Sequence, residues 1–172
     1  GVAVASMSLD VHWHDTYFVV AHFHFIMVGG TLTSYLAALH YWFPKITGRK
    51  YYDRLGVLAT TLVAMGFFVT FFPQFLLGNA GMPRRYFEYA PRFQALHIIS
   101  TLGSWVLGVG MIITLAYLVH GWLRGPRSED NPWGALGYEW RTSSPPPVHN
   151  FRQAPPMDPG PYDYACEEDV PQ

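Results

Sequence analysis

His14-Asp15-Thr16-Tyr17-Phe18-Val19-Val20-Ala21-His22-Phe23-His24-Phe25 is the stretch that decides the fold. Two histidines stand two apart inside an apolar run that continues from Tyr17 to Phe43 without an Asp, Glu, Lys or Arg. Wound as a helix at 1.5 Å per residue, such a run crosses a hydrocarbon core of about 30 Å. At about 100° of rotation per residue, His22 and His24 point about 200° apart. They cannot chelate one metal from a regular helix, but each can reach a different centre on opposite flanks, with Phe23 between the two directions.

Two further uncharged runs, Leu55 to Pro83 and Phe93 to Leu123, complete an all-α membrane protein with three transmembrane helices at about 17–43, 55–83 and 93–123. Pro44 is expected to end the first, because proline lacks the N–H and clashes with the preceding turn. Pro73 is expected to kink the second, its freed carbonyl answered by a neighbour or by Thr70. Nothing repeats at a fixed period, and no span alternates as a barrel strand does. Ser104 with Gly108, and Gly29 with Thr33, offer small-residue spacing at which another helix could approach closely.

The ends are of different material. Residues 124–172 hold ten of the fourteen prolines and eight of the twelve acids, so they read as a polar, Pro-rich and largely irregular tail without a core of its own. Residues 1–16 read as a loop on the side opposite the tail; they lack a basic leader, a cleavage pattern and an initiator Met, so the chain reads as a piece of something longer. The formal charge of −1 carries no nucleic-acid signal, and the lone Cys166 excludes an internal disulfide. Four basic residues in 44–54 and two at the start of the tail, against three in 84–92, orient the former two regions inward.

The chemistry sits in a few side chains. Two imidazoles at bilayer depth each need a polar partner that hydrocarbon does not offer. Axial bonds to two heme irons, a proton relay and hydrogen-bonded packing all answer that need. His40, His97 and His120 read as packing residues. His14 and Asp15, at the membrane face, form either an exposed helix start or, with water, a hard-cation site for magnesium or manganese. Antiparallel spans bring Arg84 and Arg85 to the face that carries Asp10, His14 and Asp15. There the guanidiniums are either headgroup anchors or partners for heme propionates.

With Gly-Met-Pro-Arg-Arg-Tyr at 81–86 and the tail strings Asn131-Pro132-Trp133, Glu139-Trp140 and Ser144-Pro145-Pro146-Pro147, the run 14–25 resembles the C-terminal part of subunit I of heme–copper cytochrome c oxidases. The similarity covers about residues 8–151. It implies the last three helices of a twelve-helix bundle. It further implies His22 as the ligand of the high-spin heme, His24 as a ligand of the low-spin heme, and Phe23 between the hemes. His14 and Asp15 match magnesium ligands, and Arg84, Arg85 and Asp10 match the propionate region. Two hemes of A type are implied, with the copper site in a part not present in this sequence, so no catalytic residue beyond the heme ligands is expected here. Phe25 stands where many relatives have tyrosine.

The implied whole protein takes electrons from cytochrome c, reduces dioxygen to water and pumps protons. Its partners are the rest of subunit I, subunits II and III and membrane lipid, in a bacterial plasma membrane or mitochondrial inner membrane. This chain alone is expected to be inactive. A quinol oxidase, a non-enzymatic diheme electron carrier and a cofactor-free structural protein are the alternative readings. The carrier would need a second pair of histidines at matching depth, which the sequence does not offer.

Overall fold

Thr16 opens the first span: its side-chain oxygen accepts from the Phe18 N–H at 3.2 Å while its hydroxyl donates to the Trp13 carbonyl at 2.7 Å. This is the N-cap geometry that satisfies one otherwise orphaned donor at a helix start. In the computed structural model, which describes residues 1–151 and 153, it joins α2 (Met7–Trp13) to α3 (Tyr17–His24). The first sixteen residues are thus not the loop expected from sequence. They form α1 (Val2–Ala5) and α2, closed by N–H to C=O bonds from Ala5 to Gly1 and from Asp10 to Ser6.

The first span is one unbroken rod, from Tyr17 to Thr47, with an internal change of pitch. After α3 comes a π-helical segment, Phe25–Leu32, followed by α4 (Thr33–Thr47). The i to i+5 pattern widens each turn and shifts the direction in which later residues face. Along α3 the rod packs on α5 (Asp53–Asn79); beyond the π segment, α4 makes little contact with it. The divergence leaves a cleft of about 540 Å³ lined by Leu36, His40, Val57, Thr60 and Val63.

Pro44 does not end the helix, contrary to the expectation above. The last turn closes around it: the Thr47 hydroxyl donates to the Phe43 carbonyl at 2.7 Å, and the Gly48 N–H to the Pro44 carbonyl at 2.8 Å. Gly48, at φ +67°, is the left-handed residue that caps such an end. The second and third spans are also a few residues displaced from expectation, as α5 (53–79) and as a 3₁₀ turn (Pro91–Phe93) leading into α6 (Gln94–Arg124). No strand occurs among the described residues.

Helices in lipid gain little from hydrophobic association and rely on close packing and internal hydrogen bonds. The α5–α6 pair does so through glycines: a Cβ at Gly103 would lie 2.6 Å from the Thr70 nitrogen, and one at Gly66 2.3 Å from the Leu107 nitrogen. Ser104 and Gly108, the pair singled out from spacing, do not mediate this approach: the Ser104 hydroxyl bonds the Thr101 carbonyl of its own helix, and Gly108 faces open space. Pro73 lies inside α5, and the carbonyl its missing N–H leaves free is that of Val69; one residue on, the Ser100 hydroxyl of α6 donates to the Thr70 carbonyl at 2.6 Å. Thr70 itself donates to Gly66. The amide of Gln74 donates to Ser100 Oγ at 3.2 Å, and its buried Oε1 has no partner among the described residues.

Backbone pairing closes both ends of the three-helix arrangement. At one end Thr16 pairs with Pro83, the Tyr17 N–H donating to the Met82 carbonyl at 3.0 Å and the Arg84 N–H to the Asp15 carbonyl at 2.9 Å. At the other, Arg49 pairs with Arg127, and the Lys50 N–H donates to the Pro126 carbonyl at 2.9 Å. The tail, as far as it is described, is irregular apart from a 3₁₀ turn (Tyr138–Arg141), and it docks on the end of α4. Buried Lys45 gives its ammonium protons to the carbonyls of Asp130, Thr142 and Ser143 at 3.0, 2.7 and 3.4 Å. Trp133 and Trp140 donate to the backbone and hydroxyl oxygens of Tyr41. Cys166 lies outside the described residues.

Among the described glycines the tightest approach is at Gly78, where a Cβ would stand 1.9 Å from the Phe18 nitrogen. Gly78→Ala must push α3 off α5. Overpacking typically costs about 1–3 kcal/mol, so thermal unfolding of the detergent-solubilised protein should move to clearly lower temperature. Gly108→Ala, which adds a methyl to open space in α6, should leave it unchanged or raise it.

Candidate functional site

His22 and His24 both fall in the final turn of α3, before the π segment begins, so ordinary α-helical rotation separates them. Geometry sets which tautomer the His24 imidazole takes in its neutral form. Its Nδ1 lies 2.8 Å from the Val20 carbonyl, which can only accept, so Nδ1 carries the proton and Nε2 keeps its lone pair. A ring N–H held by a backbone carbonyl is how metal-bound histidines are usually oriented. His22 makes no hydrogen bond to any described residue, and both rings are partly exposed. The donor chemistry therefore fits two flat, iron-bearing ligands, one per imidazole.

Aromatic rings surround His24. The Phe71 ring of α5 lies parallel to it within 14° at a centroid distance of 4.3 Å, and Phe23 sits at 4.3 Å and 31°. Phe25 packs on Phe67, Phe68 and Phe75, as a packing residue does. Phe71 had no distinguishing signal in the sequence, being one of several phenylalanines between Gly66 and Leu76.

At the end of the bundle beside Thr16, Arg84 meets Asp15. Its Nε donates to Oδ1 at 2.7 Å, and its terminal nitrogen stands 2.5 Å from the same oxygen. The His14 Nε2 lies 3.3 Å from the other oxygen of Asp15, and the His14 Nδ1 3.9 Å from Asp10. Asp10, His14, Asp15 and Arg84 are thus gathered on one face. Arg85 is different: at φ +70°, exposed, it makes no hydrogen bond or ion pair with a described residue. Two neighbouring guanidiniums are therefore in different states, one spent largely on a carboxylate and one open to an anion.

No group of three or more His, Cys, Asp or Glu among the described residues is arranged to hold a metal. His14 and Asp15 together offer one nitrogen and one carboxylate oxygen, a partial set that magnesium would complete with water or ligands from elsewhere. The Arg84 guanidinium holds the Asp15 carboxyl below the usual carboxylate range, chiefly through the hydrogen bond. Slight desolvation opposes this, and the charges of Arg84, His14 and Arg85 reinforce it.

The three histidines that read as packing residues are engaged. His40 donates from Nδ1 to the Leu36 carbonyl at 2.5 Å and receives the Tyr117 hydroxyl at Nε2. His97 contacts the Met82 sulfur at 3.0 Å between Tyr17 and Tyr89, and exposed His120 lies against Tyr52. The His40–Tyr117 contact ties α4 to α6 where α5 has drawn away, a link that spacing in the sequence does not reveal.

Residues 1–106 match the family model described as "Cytochrome C and Quinol oxidase polypeptide I". The chain is 44% identical over 167 residues to cytochrome c oxidase subunit 1 of Thermostichus vulcanus, covering 97% of this chain and 30% of that protein. It is 42% identical over 158 residues to the protein of the same name from Bacillus sp. strain PS3, covering 90% of this chain and 26% of that one. A heme-copper terminal oxidase dimer solved by cryo-EM superposes with a TM-score of 0.66 at 25% identity, over 75% of this chain and 24% of the solved chain. The chain thus spans less than a third of the length of these relatives.

Because Asp15 titrates below its ordinary value when paired, the pair's contribution to stability is full above the ordinary carboxylate pKa and is lost as pH falls through the lowered one. At this exposed site the contribution is small. Arg84→Gln should move the Asp15 titration, followed by its carboxyl infrared band, up toward the ordinary carboxylate range; an unmoved titration would show that the pair does not form in solution.

Proposed function

Because this chain belongs to the family of cytochrome c and quinol oxidase polypeptide I, we propose that it is the part of a terminal oxidase's catalytic subunit that gives one axial imidazole to each of two hemes. It is an integral membrane protein with three membrane-crossing helices. The observation that carries the proposal is the state of the His24 ring: its N–H is taken by Val20, its Nε2 bonds no described residue, and His22 stands two residues away on the same α-helical turn.

His22 holds the high-spin heme and His24 the low-spin heme, with Phe23 between them. Bound heme iron supplies one-electron transfer and, at the high-spin centre, a coordination position for dioxygen. Phe23, in contact with the His24 ring, keeps the space between the two centres apolar. Arg85, and the donors Arg84 does not spend on Asp15, bind propionates in a region that also contains Asp10. His14 and Asp15 contribute to a magnesium site. The hemes are of A type, and the copper site belongs to the remainder of a twelve-helix subunit I.

The whole enzyme takes electrons from cytochrome c, reduces dioxygen to water and pumps protons. It assembles with subunits II and III in a bacterial plasma membrane or mitochondrial inner membrane. The relatives' names favour an oxidase over a relay-only diheme carrier, and cytochrome c over a quinol as donor.

In the intact oxidase, His22→Ala should abolish the carbon-monoxide-reactive heme while leaving low-spin absorbance partly intact, and His24→Ala should do the reverse. If both variants keep both signals, the ligand assignment is wrong. Arg84→Gln and Arg85→Gln should each shift heme midpoint potentials with heme content retained; unchanged potentials in both would make the arginines lipid anchors.

A further inference from the structure

An imidazole bound to iron through Nε2 keeps one soft freedom, rotation about the nitrogen–iron direction. That rotation decides how the ring's π electrons meet the iron d orbitals. The Nδ1–H bond to the Val20 carbonyl restrains one edge of His24. A single hydrogen bond to a carbonyl, whose acceptor directions are broad, leaves the tilt of the ring loosely set.

Phe71 supplies the missing restraint. Its ring is parallel to the imidazole within 14° at 4.3 Å, and it is 8% exposed. It cannot readily follow a moving histidine, because its own helix is pinned close by. Thr70, the preceding residue, is in tight backbone approach to Gly103, and Phe67 packs against Phe71 from the turn before. Filling space at this position needs only volume. A near-parallel stack needs a ring.

We infer that Phe71 is a positioning residue for His24: the α5–α6 contact fixes Phe71, and the stacked phenyl fixes the plane of the axial imidazole at the low-spin heme iron. The inference rests on the reading of His24 as a heme ligand. The orientation of a metal-bound imidazole is among the properties that its outer partners set. Ring-plane orientation is read directly in the g-values of the ferric low-spin signal, which packing alone does not move.

The test compares variants of the intact oxidase by electron paramagnetic resonance, with redox titration and heme content on the same samples. Phe71→Leu should shift the low-spin g-values and the midpoint potential while both hemes are retained, and Phe71→Tyr, which keeps the ring, should restore the parent spectrum. Phe72→Leu, at a half-exposed neighbour, should leave the g-values unmoved. If Phe71→Leu does not assemble, Phe71→Met removes the ring while filling the space flexibly and should give the same shift. Parent g-values in the ring-less variant, or equal shifts in Phe71→Leu and Phe72→Leu, overturn the inference while His24→Ala still abolishes the low-spin signal. A low-spin signal that survives His24→Ala overturns the ligand reading, and this inference with it.

Discussion

A hydrocarbon interior gives an imidazole nothing to bond to, and this chain places two of them almost side by side at bilayer depth. Each ring needs its own answer, because α-helical rotation sends His22 and His24 to opposite flanks. The backbone answers half of one: Val20 takes the Nδ1 proton of His24. Among the described residues nothing bonds the His24 Nε2 or the His22 ring, which are the donors that the two proposed heme sites require. The surrounding helices hold these donors in place.

That holding is mechanical before it is chemical. Glycines at 66, 78 and 103 let backbones approach to distances no Cβ would tolerate, so α5 serves as a fixed post against which α3 lies on one side and α6 on another. Beyond His22 and His24 the first span widens into its π segment and parts from α5, and α4 is then secured by His40 on Tyr117 and by the tail wrapped around Lys45. The half of the span that bears His22 and His24 is thus held by close packing. The other half is held by polar side chains and a docked loop.

The spans and their number were legible because charge is excluded from a bilayer, and the placing of His22 and His24 on one helical turn because helical rotation is regular. Other features lie beyond such rules. Pro44 reads as a terminus, but the Thr47 hydroxyl on the Phe43 carbonyl and the Gly48 N–H on the Pro44 carbonyl close the turn around it, and the docking of the tail on Lys45 at that end is a contact distant in sequence. Residues 1–16 are short and carry no periodic pattern, so their helices were invisible. Small-residue spacing pointed at Ser104 and Gly108, whereas the helix presents Gly103 and Gly110, one and two residues away, to α5. At the polar end, topology correctly gathered Arg84 with Asp15, but it could not tell that one arginine is bound to a carboxylate while its neighbour is turned outward by a positive φ.

A single structure of the intact, heme-loaded oxidase, at a resolution that places the imidazole rings, tests the central claim most directly. The account predicts the Nε2 atoms of His22 and His24 within bonding distance of two different irons on opposite flanks of one unbroken α-helical turn, with the His24 N–H still on Val20. Both rings on the same flank, or either Nε2 bonded to protein or facing lipid with no iron beside it, would contradict it.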